Sequence, residues 1–346
     1  MPKSTFISET RLALAAILAA LAGPALADPV ADFYQGKDLS IIVGYSPGGL
    51  YDITARLVAR HFSDHLPGRP TIIVENSPGA GGITTLLRLY NTAPHDGSVI
   101  GMVSRSYPVD PLFNAAARKY DPTRFSPIGA TSSEVSAAVT WYTSKVKSFD
   151  DLLKTPVTFG ATGLIDDTGR FGSLAKNLTG AKVELVMGYP GGNDITNAME
   201  KGEVDGRFGW SWGSIKSRAR PWLEGKKINI ILQQALKKAP DLPDTPFILD
   251  FAKTDQDRAA LELIFAPQTF AWPFIAPPDV PAQRLQALRD AFDTTMKDPA
   301  FLADAAKLNV EIEPVSGKEM EALIKRILSF DATVVARADA LTKPVK

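Results

Sequence analysis

The groups in this 346-residue chain best suited to chemistry are backbone amides, and three glycine turns expose them. Leu39 to Thr54 reads as a short apolar run (Ile41, Ile42, Val43), then Ser46-Pro47-Gly48-Gly49, then a helical pattern from about Asp52. That order predicts a buried strand, a tight turn and a helix N-terminus. The first N–H groups of such a helix lack intrahelical acceptors and point into the turn, where the helix dipole adds positive potential. Together they suit an anion, and glycine lets it approach the backbone with no Cβ in the way. The unit recurs as strand Thr71 to Asn76, turn Ser77-Pro78-Gly79-Ala80-Gly81-Gly82 and a helix over Thr84 to Tyr90. A third copy, Gly188-Tyr189-Pro190-Gly191-Gly192 before Asp194-Ile195-Thr196, echoes Gly44-Tyr45-Ser46-Pro47-Gly48-Gly49 before Asp52-Ile53-Thr54. Two turns early and one past the middle predict two lobes sharing a cleft.

Side chains near these turns extend the candidate set. Tyr45 and Tyr189 flank the paired turns and Tyr51 follows the first; ligand contact and core packing both fit them. Arg105 ends the third strand (Ser98 to Val103), at the edge where parallel sheets take ligands. Its guanidinium suits a bidentate carboxylate, and a structural salt bridge suits it equally. Ala161, Thr162 and Gly163 open a loop after the strand Val157 to Phe159. Trp210 and Trp212 alternate at a strand end, so both are expected to point the same way. One walling the pocket favours a longer or aromatic acid; core packing is the alternative. Asp205 caps a helix, pairs with Arg207 or meets a ligand.

Three other chemistries were weighed. Gly44-Tyr45-Ser46-Pro47-Gly48 matches a nucleophile elbow, but Pro47 has no N–H for the oxyanion hole, and His61, His65 and His95 lie close behind the serine in the wrong order. Gly79 to Gly82 lacks the residues of a nucleotide loop. His61 and His65 stand one helical turn apart with no carboxylate motif to complete a metal site. No catalytic residue, cofactor or metal is therefore expected.

Lys+Arg and Asp+Glu number 38 each, which argues against nucleic acid or a membrane surface as partner. There are no cysteines, so disulfides, thiolate sites and a lipid anchor at the processing site are out. Lys3 and Arg11, the apolar Leu12 to Leu21, and Ala25-Leu26-Ala27 form a secretory signal peptide, cleaved near Asp28. Beyond it, alternating strands and helices with short glycine turns predict an α/β fold of parallel sheets covered on both faces. Phe265 to Pro278 reads as a crossover returning to the first lobe. Helices with the stripe Leu285, Leu288, Phe292 and Met296, then Pro299 to Leu308 and Gly317 to Ala340, are expected to complete that lobe.

At its turns the chain resembles a known family. Pro47-Gly48-Gly49…Asp52…Ala55-Arg56, Val74-Glu75-Asn76-Ser77-Pro78-Gly79-Ala80-Gly81-Gly82 and Asp96-Gly97 look like the substrate-binding proteins of tripartite tricarboxylate transporters, the Bug family. The resemblance continues through Tyr120-Asp121-Pro122, Phe125-Ser126-Pro127-Ile128, Tyr189-Pro190-Gly191-Gly192, Gly202-Glu203-Val204-Asp205, Leu242-Pro243-Asp244-Thr245-Pro246 and Ala276-Pro277-Pro278. It implies a two-lobed periplasmic-binding-protein fold (type II-like), each lobe a mostly parallel sheet flanked by helices, joined by two crossover strands. The expected division is signal peptide 1–27, first lobe 28–136, second lobe 137–264 and a return to the first lobe over 265–346. The implied function is a monomeric periplasmic receptor that closes on a small organic mono-, di- or tricarboxylate and delivers it to transporter membrane subunits. A sensory receptor for an organic acid is the alternative. Carried over by residue, the resemblance points to Ser46, Gly48, Gly49, Gly79, Ala80, Gly81 and Gly82 as the carboxylate grip. The chain departs from the pattern at Leu50-Tyr51, at Ile83, and in the loop Gly160 to Gly172 with its Asp166, Asp167 and Arg170.

Overall fold

The computed structural model describes residues 28–113, 117–164 and 166–344, so the signal-peptide expectation lies outside the described residues. The first sheet contains β1 (Asp38–Val43), β2 (Thr71–Asn76), β3 (Val99–Met102), β4 (Ser126–Ser132), β10 (Ala271–Ala276) and β11 (Val315–Ser316), in the order β11-β4-β10-β3-β1-β2. The second contains β5 (Ser136–Trp141), β6 (Val157–Ala161), β7 (Val183–Met187), β8 (Gly206–Ser211) and β9 (Ile228–Gln234), in the order β7-β6-β8-β5-β9. The apolar run of β1 sits between β2 and β3 with Ile41, Ile42 and Val43 buried, as a central parallel strand requires.

Most strands of each sheet run one way, as expected of mostly parallel lobes. Both sheets are mixed: β10 lies antiparallel between β3 and β4, and β5 antiparallel between β8 and β9. These are the strands by which the chain enters one lobe from the other. The link from β4 to β5 is only Ser133-Glu134-Val135, so the chain passes straight from the first sheet into the second. The return runs from helix Asp255–Phe265 through the short turn Ala266–Thr269 into β10. The two crossings are tied together, the Glu134 N–H donating to the Gln268 carbonyl at 2.9 Å.

Helix Leu50–His65 packs on β1 and β2 and is covered by helices Ala282–Thr295 and Pro299–Lys307. His61 and His65 serve this packing, lying 3.2 Å from Asp304 and 2.8 Å from Asp298. The single helix expected over Gly317 to Ala340 is broken in two. Gly317–Leu328 packs on β4, and Asp331 restarts the chain by capping Ala332–Thr342 through the Thr333 N–H at 2.7 Å. That last helix lies on Asp167–Thr179 and Asp255–Phe265, away from the helix before it. No helix among the described residues is long and apolar enough to cross a membrane.

The first-lobe core is tight where helix Ala282–Thr295 meets β4. A Cβ on Gly129 would stand 2.3 Å from the Phe292 ring, so only glycine admits that fully buried side chain, which also packs against Phe274. Phe292→Ala is expected to cost about 3–5 kcal/mol in chemical denaturation.

Candidate functional site

The two lobes are closed against each other, and the glycine turns form the seam. Ser46 Oγ donates to Asp194 at 2.8 Å, and Asn193 Nδ2 to the Pro47 carbonyl at 3.1 Å. A Cβ on Gly191 would lie 2.2 Å from Ser46 Oγ, and one on Gly163 would lie 3.4 Å from the Gly81 nitrogen. Glycine on the second-lobe side lets the turns meet this closely.

Several turn amides are already engaged. The Gly48 N–H donates to Asp52 at 2.9 Å, and Asp52 also accepts from Arg56 and Asn76. Burial works against the Asp52 charge, yet these three donors hold its pKa below the usual carboxylate range. The Gly82 N–H donates to the Gly79 carbonyl, and the Ser77 N–H to Val43.

Between the lobes lies a cavity of about 300 Å³. Of the expected residues, Tyr45, Ser46, Gly49, Tyr51, Arg105, Thr162 and Trp210 line it. Gly48, Gly79, Ala80, Gly81, Gly82, Ala161, Gly163, Tyr189 and Gly191 are not part of its lining. Tyr45 explains the separation of the second turn, because a Cβ on Gly82 would stand 3.7 Å from the Tyr45 hydroxyl. Tyr45 and Tyr51 stack with ring centres 4.3 Å apart, tilted by 32°. Burial raises the pKa of both phenols, so they stay neutral.

Arg105 resolves toward its structural alternative. It is buried, contacts Asp167 and Glu134 (3.1 Å to the latter) and donates to Ser136 Oγ at 2.9 Å. Burial opposes its charge, but Asp167 and Glu134 outweigh that and raise its pKa. Glu134 is in turn pushed up to about 7, burial exceeding the pull of Arg105. Asp167 also accepts from Ser106 at 3.2 Å, so this network stitches the first lobe to helix Asp167–Thr179. On the same helix Arg170 pairs with Asp110, both fully buried.

The sequence reading passed over Arg207 as a ligand group, weighing it only as a partner for Asp205. Arg207 lines the cavity from β8 at 6% exposure. Nη1 donates to the Gly192 carbonyl at 2.8 Å, the guanidinium lies 4.9 Å from the Trp210 ring centre, and buried Nε has no partner among the described residues. No acid of those residues forms a salt bridge with it. Burial lowers its pKa to about 10, with Asp166 nearby offsetting part of the effect. The available signal was an arginine inside an otherwise buried strand, a position that charge avoids unless something neutralises it.

Other expectations resolve locally. Asp205 accepts from the Thr158 N–H and hydroxyl at 3.0 and 3.1 Å, a strand-to-strand clip. Trp210 and Trp212 do not share a direction. The strand ends at Ser211, which caps helix Trp212–Arg218, and Trp212 Nε1 turns away to Asp241 at 2.8 Å. Ser46 has an aspartate as its hydrogen-bond partner, and His61 and His65 are held at helix Pro299–Lys307, so the elbow geometry is not assembled among them.

No family model matches the chain. A UPF0065 protein from the gbd 5′ region of Cupriavidus necator is 26% identical over 324 residues, 90% of each chain. BugT of Bordetella pertussis is 44% identical over 73 residues, 21% of each chain. The solved periplasmic binding protein BugD matches with a TM-score of 0.69 at 19% identity, covering 85% of this chain and 95% of its own. A Rhodopseudomonas palustris protein solved with adipate and MatC of that organism with bound malate both match at 0.67, with 19% and 17% identity. They cover 88% and 89% of this chain and 97% and 99% of their own. The chain is thus similar to a UPF0065 protein over most of its length and to BugT over 73 residues, and it has the two-lobed fold of the solved periplasmic binding proteins, the fold that the turns implied.

Proposed function

We propose that this protein is a periplasmic solute receptor that closes its lobes on a small organic carboxylate and presents it to transporter membrane subunits. The observation that carries the reading is Arg207, a buried guanidinium facing the cavity with no acidic partner among the described residues. A charge so placed is costly until an anion joins it. A ligand carboxylate on the free edge of the guanidinium would contribute charge-assisted hydrogen bonds of about 1.5–3 kcal/mol each. Micromolar affinity requires about 8 kcal/mol, so a bidentate contact plus burial of the ligand's carbon frame reaches that range. Asn193 keeps a second Nδ2 hydrogen for the acid on the second-lobe side, and Tyr45 and Tyr51 face the cavity from the first lobe. Because the acid touches both, it favours the closed population over the open one. Adipate and malate in two structures of the same fold support an organic acid as the class of ligand.

Thermal-shift and calorimetric screening of dicarboxylates, citrate-like acids and aromatic acids is expected to give at least one binder; sugars or metals binding in the absence of any acid would sink the reading. Arg207→Met is expected to weaken that binder about 100-fold, equivalent to about 2.7 kcal/mol, with an unchanged circular-dichroism spectrum. Gly191→Ala places a methyl against Ser46 in the closed form alone, since its φ of −168° suits any residue. Small-angle scattering is expected to show a larger radius of gyration for this variant, with affinity reduced about tenfold.

A further inference from the structure

We infer that the acid taken here is a small aromatic monocarboxylate, held by Arg207 at its carboxylate and by the aromatic walls of the cavity at its ring. This rests on the carboxylate reading above and narrows it. Three observations carry the narrowing. The first is the supply of positive charge. Arg105 is consumed by Glu134 and Asp167, and Arg218, which also lines the cavity, is exposed and screened by solvent. Arg207 is left as the buried cation open to a ligand, and it matches one carboxylate.

The second is negative charge. Asp166 lines the same cavity, buried, its oxygens accepting from Thr162 and Thr168 and forming no salt bridge among the described residues. A second ligand carboxylate inside about 300 Å³ would be confined near this group, and like charges at short range in a partly dry cavity repel strongly. A di- or tricarboxylate is therefore penalised where a neutral ring is not.

The third is the wall. Tyr45 and Tyr51 stack on the first-lobe side, and Trp210, Trp222 and Trp272 supply further aromatic surface between polar groups such as Asn193, Asn197 and Ser214. Trp272 is held at a φ of +52°, a left-handed backbone conformation that is costly for a bulky side chain and is tolerated where function requires it. Trp210 already carries the Arg207 guanidinium over its face, so a ring extending from the carboxylate continues along an aromatic surface. The cavity volume is at the low end for small-molecule sites, enough for a single ring with its carboxylate.

The test is calorimetry on the wild-type protein with benzoate, 4-hydroxybenzoate, adipate and malate, which depends on no variant folding. Benzoate or 4-hydroxybenzoate is expected to bind at least about tenfold more tightly than either diacid. Trp210→Ala is expected to weaken the aromatic acid about tenfold, and Trp210→Phe to restore most of the loss. Adipate or malate binding as tightly as the aromatic acids would overturn this inference and leave the carboxylate reading standing. No binding by any of the four, with no other acid found in the wider screen, would overturn both.

Discussion

A guanidinium can be buried between two lobes only if negative charge accompanies it, and the closed form of this protein is arranged around that constraint. Three buried arginines meet the interlobe region, and two bring their counter-charge with them. Arg170 has Asp110, whose carboxyl is pushed up to about 7 by burial that exceeds the pull of its partner. Arg105 has Glu134 and Asp167. Arg207 has a carbonyl, an aromatic face and only the partial offset of nearby Asp166, with which it forms no salt bridge. The first two arginines act as structural clamps across the lobes, and the third keeps an unmet electrostatic requirement inside the cavity.

The mechanics follow from how the chain crosses. β5 and β10 run against the direction of their neighbours, each at the point where the chain passes from one sheet into the other. The two crossings are bonded to each other through Glu134 and Gln268, and the Gln268 side chain also donates to Ser136 and to the Gln234 carbonyl. Glu134 also contacts Arg105. The crossings and the Arg105 network thus share a residue. On the far side, the glycine turns set how near the lobes can come.

The tyrosines decide where the cavity lies. A polar turn opening directly onto solvent would leave its amides to the ligand, but here Asp52 takes the Gly48 N–H, and the Tyr45–Tyr51 stack stands before the turns. The open space is displaced toward β8 and the helix that follows it. In the proposed reading, recognition shifts with it from main-chain amides toward the Arg207 guanidinium and the aromatic rings beside it.

Local order along the chain was sufficient for the strands, the turns and the two-lobed plan, since each strand–turn–helix unit is written in contiguous residues. Ile41 to Val43 before Ser46-Pro47-Gly48-Gly49 specifies a buried strand and a helix start without reference to anything distant, and three such units in one chain imply a shared cleft. What a side chain meets across tens or hundreds of residues was beyond that reading. Arg105 carried two roles until Glu134 and Asp167 were placed beside it; Arg207 looked like a partner for Asp205 until Thr158 claimed that carboxylate; and Trp212 seemed to face with Trp210 until Ser211 ended the strand. Periodicity specifies which residues form an element, while the neutralisation of a buried charge depends on which elements the tertiary structure brings together.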